Sequence, residues 1–261
     1  MSSRLSSFCS SASSSFSSAS YSSEEDALEG ALLNASGLVF DCDGTLIDAM
    51  PIYYKSWSRA CEELGLEFPI EQFYAFAGAP VADIFETLIQ DQKSKGNVDT
   101  KLTPQYCESV KRRHHKDIER EGAIPGPIDV VVSIVKRFHG KMPMAVASSG
   151  WRDHVISNLE RVGILHLFDA VVTADEEVVK CGNPAPDIFL VAAERINVCP
   201  TKCVGFEDAD FGMEALKRAG YWYASDVRLF HMYPRNVEKR MLTGQKQQVD
   251  GNIVENECKD P

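Results

Sequence analysis

The sequence has no CxxC pair. Its eight cysteines are scattered, and the closest two, Cys199 and Cys203, stand four apart with no matching His or Cys pair elsewhere. That spacing argues against a zinc site, and the thiols read as reduced ones in a reducing compartment. No apolar run approaches the ~18 residues that span a bilayer. Basic residues are in the minority, 27 against 38 acids, for a formal charge of -11. An acidic surface argues against partners that need clustered Lys and Arg, namely nucleic acid and anionic membranes. It also sets a requirement: an anionic substrate would need a local cation to overcome the repulsion.

Acids are missing altogether before Glu24, where 14 of the first 23 residues are Ser and the one basic residue is Arg4. Residues 1–34 are therefore read as a disordered tail that cannot bury enough apolar surface to fold. Ser-rich, acid-poor composition is also that of a transit peptide, so a plastid or other organelle stands as the alternative to a cytoplasmic location. Residues 231–261 are polar with little periodicity and read as a second tail. The chain as a whole is 44% hydrophobic and 25% charged, ordinary for a globular protein. Its length suits one domain, or a core with an insertion, and a monomer is the expectation.

Residues 37–41 read as a short apolar strand ending in acids. Residues 50–122 instead show helical spacing, with Trp57, Ala60, Cys61 and Leu64 on one face and Pro104 at a helix start. The basic stretch Lys111, Arg112, Arg113, Lys116 and Arg120 reads as a solvated face paired with nearby acids, and His114-His115 as exposed. From residue 124 strands and helices alternate: helices over 127–138, 152–162, 186–196 and 209–219, strands over 143–147, 170–173, 203–206 and 221–224. Alternation of this kind predicts a parallel, Rossmann-like α/β sheet with helices on both faces. One strand precedes the helical stretch and the others follow it. Residues 50–122 are then a helical cap inserted into a core made of 35–49 and 123–230.

In open parallel sheets ligands bind beyond the carboxyl ends of the strands. Asp41-Cys42-Asp43-Gly44-Thr45 follows the first strand, Ser148-Ser149-Gly150 the second, and Glu207-Asp208 a later one; Gly182-Asn183-Pro184-Ala185-Pro186-Asp187 precedes a helix. Residues i and i+2 of an extended segment face the same side, so Asp41 and Asp43 share the rim while Cys42 points away. Carboxylates gathered with Asp208 would repel unless protonated or bridged. A hard divalent ion with oxygen ligands, magnesium first, is the economical bridge, and it would also admit an anionic ester. Each acid taken alone could be a helix cap. Acids at two parallel strand ends together are harder to read that way.

These motifs resemble those of the haloacid dehalogenase-like superfamily of phosphohydrolases, over about residues 36–230. The helical insertion is similar to the small cap of its subfamily I. The stretch 206–212 is similar to that of small sugar phosphatases of the fructose-1-phosphate type, with β-phosphoglucomutases as near relatives. The resemblance implies a magnesium-dependent phosphatase acting on a small phosphorylated metabolite, a sugar phosphate. It implies that Asp41 is the nucleophile and Asp43 the acid and base. Magnesium would be held by Asp41, Asp208 and the Asp43 carbonyl, with Glu207 assisting. Ser148 would bind the transferring phosphoryl group. Gly44, Thr45, Ser149, Gly78 and Tyr53 are carried along as substrate contacts.

Two departures qualify the resemblance. The family places Lys immediately before Pro-Ala-Pro-Asp, where this chain has Asn183, so turnover is expected to be weakened or rescued by Lys180. Mutases of the group carry a His where Tyr53 stands and basic residues near the cap glycine, whereas residues 77–81 here hold no cation. Hydrolysis is favoured over a mutase, and a binding protein on a crippled scaffold is the remaining alternative.

Overall fold

The computed structural model describes residues 23–94 and 101–239. Five short strands form one parallel sheet: β1 (Gly37–Phe40), β2 (Met144–Ser148), β3 (Ala170–Thr173), β4 (Cys203–Glu207) and β5 (Tyr223–Asp226), in the order β3-β2-β1-β4-β5. A strand buried on both faces must be apolar throughout, which is why β1 reads Gly-Leu-Val-Phe with no alternation. Leu38 and Phe40 turn to one face, where Phe40 stacks on Phe206 at 4.4 Å. Val39 turns to the other, among Ala145, Ala147 and Val172.

Helices α6 (Asp129–Phe138) and α7 (Arg152–Arg161) cover the first face; α8 (Asp187–Arg195) and α9 (Asp210–Arg218) cover the second. Gly205 of β4 lets α9 come close. A Cβ there would lie 2.3 Å from Leu216 Cδ2, so a side chain at this position would have to displace that leucine from the core.

The stretch read as a cap holds α2 (Met50–Leu64), α3 (Ile70–Ala75), α4 (Val81–Ser94) and α5 (Pro104–Arg120). It has its own apolar cluster around Trp57, Phe68, Phe73, Phe85 and Leu88. The short helix α3 escaped the sequence reading, since six residues show less than two turns of periodicity.

The structure corrects both tails. Residues Glu24–Leu32 form a helix, α1, capped by Ser23, which accepts from Asp26 N at 3.2 Å. Leu28, Ala31 and Leu32 fall on one face at helical spacing and join the core beneath the sheet. Tyr223 and Ser225 of β5 donate to Glu24 at 2.9 and 3.0 Å. The Ser-rich average over 1–34 hid this short amphipathic piece. At the other end Tyr233 is buried and donates to the Gly44 carbonyl at 2.8 Å. The structured chain therefore runs past residue 230. The Ser-rich segment read as a transit peptide lies, through residue 22, outside the described residues, as does the tail from residue 240.

Cys42, Cys61, Cys107, Cys181 and Cys203 are free thiols; Cys199, also expected as a thiol, is disulfide-bonded. No helix among the described residues is long and apolar enough to cross a membrane.

Candidate active site

Two adjacent strands bring the acids together. β1 and β4 pair in register, Leu38 with Val204 and Phe40 with Phe206, and Asp41 N donates to the Phe206 carbonyl at 3.0 Å. The next residues along both strands are therefore Asp41 and Glu207, with Asp208 one step on. Carboxylate oxygens of Asp41, Glu207 and Asp208 all lie within 4.8 Å of one another, and all three residues are buried.

A tight turn shapes the loop after β1. The amides of Leu46 and Ile47 donate to the Cys42 carbonyl at 2.9 Å each, and Gly44 N donates to the Ile47 carbonyl at 2.7 Å. Gly44 sits at φ +99°, and a Cβ there would lie 2.2 Å from Asp208 Oδ2. Glycine is required twice over, by the backbone angle and by the closeness of the carboxylate. Thr45 is fully buried, and its hydroxyl donates to Asp208 Oδ1 at 3.3 Å. As the alternation predicts, Cys42 turns away into the core.

Burial dominates the electrostatics. It pushes the Asp41 pKa well above the usual carboxylate range, with the charges of Glu207, Asp208 and Asp43 adding to the effect. Burial also raises Glu207 strongly, with Asp208 adding. Asp208 is pushed up to about 7 by burial, against the pull of Arg228 and the Thr45 hydrogen bond. Asp43 is raised by burial too, while His154, Tyr53 and Lys111 draw it down. Glu207 accepts from the amides of Asp208 (3.2 Å) and Ala209 (2.9 Å) through one oxygen. Its other oxygen, and Asp43 Oδ1, are buried without a hydrogen-bond partner among the described residues. Unsatisfied buried carboxylate oxygens beside two further acids are the donor set a hard divalent cation takes.

The remaining expected residues fall at different distances from this cluster. Ser148 ends β2, is buried, and accepts from Gly150 N at 3.1 Å. Gly150 is close by: a Cβ on it would lie 3.6 Å from Asp43 Oδ2. Ser149, next along the chain, is exposed. Tyr53, from the cap, donates to Asp43 Oδ2 at 2.8 Å. Gly78, at φ +82°, meets the loop after Asp208, where a Cβ would lie 3.3 Å from that of Ala209. Asn183 has a buried Oδ1 without a partner among the described residues.

Lys180 does not come in. It is exposed, its ammonium donates to the Glu177 carbonyl, and its amide is tied to Asp187 Oδ2 at 3.1 Å. Trp151 is 66% exposed, with the Arg112 guanidinium 5.8 Å from its ring centroid, and packs into no core.

Several residues near the acids escaped the sequence reading. Arg112, Arg113 and Arg120 do pair with acids on the surface, but Lys111 does not belong with them. Its ammonium lies 5.5 Å from the ring centroids of both Tyr53 and Trp57, and burial lowers its pKa to about 8. The signal was present: Lys111 stands four after the buried Cys107 and seven before the buried Ile118, on the apolar face of α5. His115, expected to be exposed, is likewise turned inward, its ring 5.3 Å from that of Tyr53. His154 Nε2 lies 3.1 Å from the Tyr53 hydroxyl. Arg228 is tied to Asp226 and Asp210 at 2.7 Å each, and its charge draws the acids down.

Comparison with known proteins agrees with this geometry. The family model described as haloacid dehalogenase-like hydrolase matches residues 38–224. Fructose-1-phosphate phosphatase YqaB of Escherichia coli is 38% identical over 194 residues, 74% of this chain and 97% of that protein. The β-phosphoglucomutase of Bacillus subtilis is 27% identical over 190 residues, 70% of this chain and 79% of the other. Among solved structures, β-phosphoglucomutase from Clostridium difficile shares the fold. Its TM-score is 0.58 at 19% identity, over 75% of this chain and 86% of that one.

Proposed function

Because the chain belongs to the haloacid dehalogenase-like hydrolases, we propose that it hydrolyses a small sugar phosphate by way of a phosphoryl group carried on Asp41. One observation carries the reading: three buried carboxylates gather within 4.8 Å at neighbouring strand ends, beside oxygens that have no hydrogen-bond partner among the described residues. The carboxylates of Asp41 and Asp208 and the Asp43 carbonyl would hold magnesium, with Glu207 behind them. The bound ion supplies the positive charge that keeps Asp41 ionised beside an anionic ester.

An Asp41 oxygen attacks phosphorus while Ser148 Oγ donates to a phosphoryl oxygen. The ester P–O bond breaks, and Asp43 gives its proton to the departing alkoxide. The raised pKa of Asp43 suits it to carry that proton. The Asp43 carboxylate then takes a proton from water, whose oxygen attacks phosphorus. Asp41 and inorganic phosphate are released, and Asp43 is protonated again. Tyr53 holds Asp43 in place from the cap.

Phosphate release from a panel of sugar phosphates, with magnesium and with chelator, tests this. Wild-type protein releases phosphate with magnesium alone, and Asp41→Asn releases none; release by Asp41→Asn at the wild-type rate refutes it. A second reading, return of the phosphoryl group to the sugar as in a mutase, is favoured by Lys111, a cation on cap helix α5 whose charge reaches Asp43 and would hold a second phosphate. Product analysis with glucose 1-phosphate separates the two: free glucose marks hydrolysis, and glucose 6-phosphate marks a mutase.

A further inference from the structure

Away from the acids, the seam between cap and core holds a second cluster. His115 and Glu119, four residues apart on α5, share a helix face. His154, in the first turn of α7, meets them from the core. One ligand atom from each residue lies within 4.8 Å of the others. Glu119 Oε1 is the centre of the group, 3.8 Å from His115 Nε2 and 3.7 Å from His154 Nδ1. Those separations are too long for charge-assisted hydrogen bonds, which run about 2.7–2.9 Å. They are close to the distance between ligands on one tetrahedral ion. With metal–ligand bonds of about 2.0–2.1 Å that distance is roughly 3.3–3.4 Å, so Glu119 has to approach each imidazole by a few tenths of an ångström, and the two imidazoles lie within 4.8 Å of each other.

The surroundings suit a metal as well. Burial and the Lys111 charge lower the His115 pKa to about 4, so the ring is neutral at ordinary pH, the form that binds an ion. The Tyr53 hydroxyl oxygen, 3.1 Å from His154 Nε2, can accept a hydrogen bond from that nitrogen, as can the Asn158 amide, 3.2 Å away, once turned to present its oxygen, which leaves Nδ1 to face the ion. A small cavity lies here, bordered by Tyr53, His115, Glu119, His154 and Arg161.

We propose that His115, Glu119 and His154 form a second cation site, suited to Zn2+ and distinct from the acidic cluster, which staples the cap to the core. Two imidazoles and one carboxylate are a ligand set for a borderline ion, whereas the all-oxygen cluster suits a hard one. The consequence follows from burial. Asp41 is only 8% exposed in this arrangement, so a sugar phosphate cannot reach it unless the cap moves. An ion held by both parts favours the arrangement that brings its ligands together, and so slows substrate entry and product release.

The test uses the full chain with saturating magnesium. Zn2+ binding is followed by calorimetry, turnover is followed alongside, and Glu119→Gln and His115→Gln are compared with wild type. The expected result is one Zn2+ per wild-type chain, not displaced by a tenfold increase in magnesium, with turnover reduced at least fivefold. In both variants Zn2+ affinity falls at least tenfold, and Glu119→Gln without Zn2+ turns over like wild type. Equal Zn2+ binding by wild type and both variants overturns the proposal. So does displacement of all Zn2+ by magnesium, which would place the ion at the acids. Melting curves show that each variant is folded before either comparison is made.

Discussion

Replacing Asn183 with Lys is expected to raise turnover by about 10²–10³. The acids around the reacting phosphorus, Asp41, Asp43, Glu207 and Asp208, carry up to four negative charges, and a divalent ion offsets two. Asn183 stands in the sequence where the family places its Lys, with a buried amide oxygen that has no partner among the described residues, and an amide brings no charge. Nor is the charge supplied by Lys180, whose ammonium is bound to the Glu177 carbonyl on the surface. One preorganised donor aimed at the charge that develops in a transition state is worth about 2.7–4 kcal/mol, which sets the expected gain. The assay is steady-state phosphate release with saturating magnesium, on wild type, Asn183→Lys, Asn183→Gln and Lys180→Ala. The gain belongs to Asn183→Lys alone, while the other two variants stay within about twofold of wild type. Loss of most activity in Lys180→Ala, or no gain in Asn183→Lys, refutes the reasoning.

Tyr53→Phe removes a hydrogen bond that draws the Asp43 pKa down, so Asp43 keeps its proton to higher pH. The alkaline limb of kcat/KM therefore moves upward in pH, and turnover at the optimum falls about tenfold, the size of one hydrogen bond to a charged group; an unmoved limb contradicts the role given to Asp43. Metal-free protein should lose thermal stability as pH rises. Burial raises the folded-state pKa of Asp41, Glu207 and Asp208, so the stability they confer is complete below the ordinary carboxylate range and is lost as pH climbs through the folded values, about 7 for Asp208. Magnesium accordingly raises Tm more at pH 8 than at pH 5, and an equal rise at both would show that the ion binds elsewhere.

How much of this was legible in the sequence depended on whether a signal was local. The strand β1 was legible because burial on both faces forces an unbroken apolar run, and Asp41 and Asp43 because an i, i+2 pair at its end has one geometry. The helix α1 was not: three buried apolar residues within nine, beside a Ser-rich segment, are lost in any average over the tail. Lys111 was hidden by its type, since a lysine in a run of cations looks solvated until the helical positions of Cys107 and Ile118 are set beside it. Tyr233, His154 and Arg228 reach the site from segments far from the motifs, and only the folded chain brings them there.

Calorimetric titration of the metal-free chain with magnesium, wild type against Asp208→Asn, bears most directly on the shared-ion idea. Asparagine keeps the shape of that side chain and removes its charge. A single ion bound by wild type, with affinity at least a hundredfold weaker in the variant and phosphate release lost with it, is the predicted result. Unchanged magnesium affinity in Asp208→Asn would contradict it.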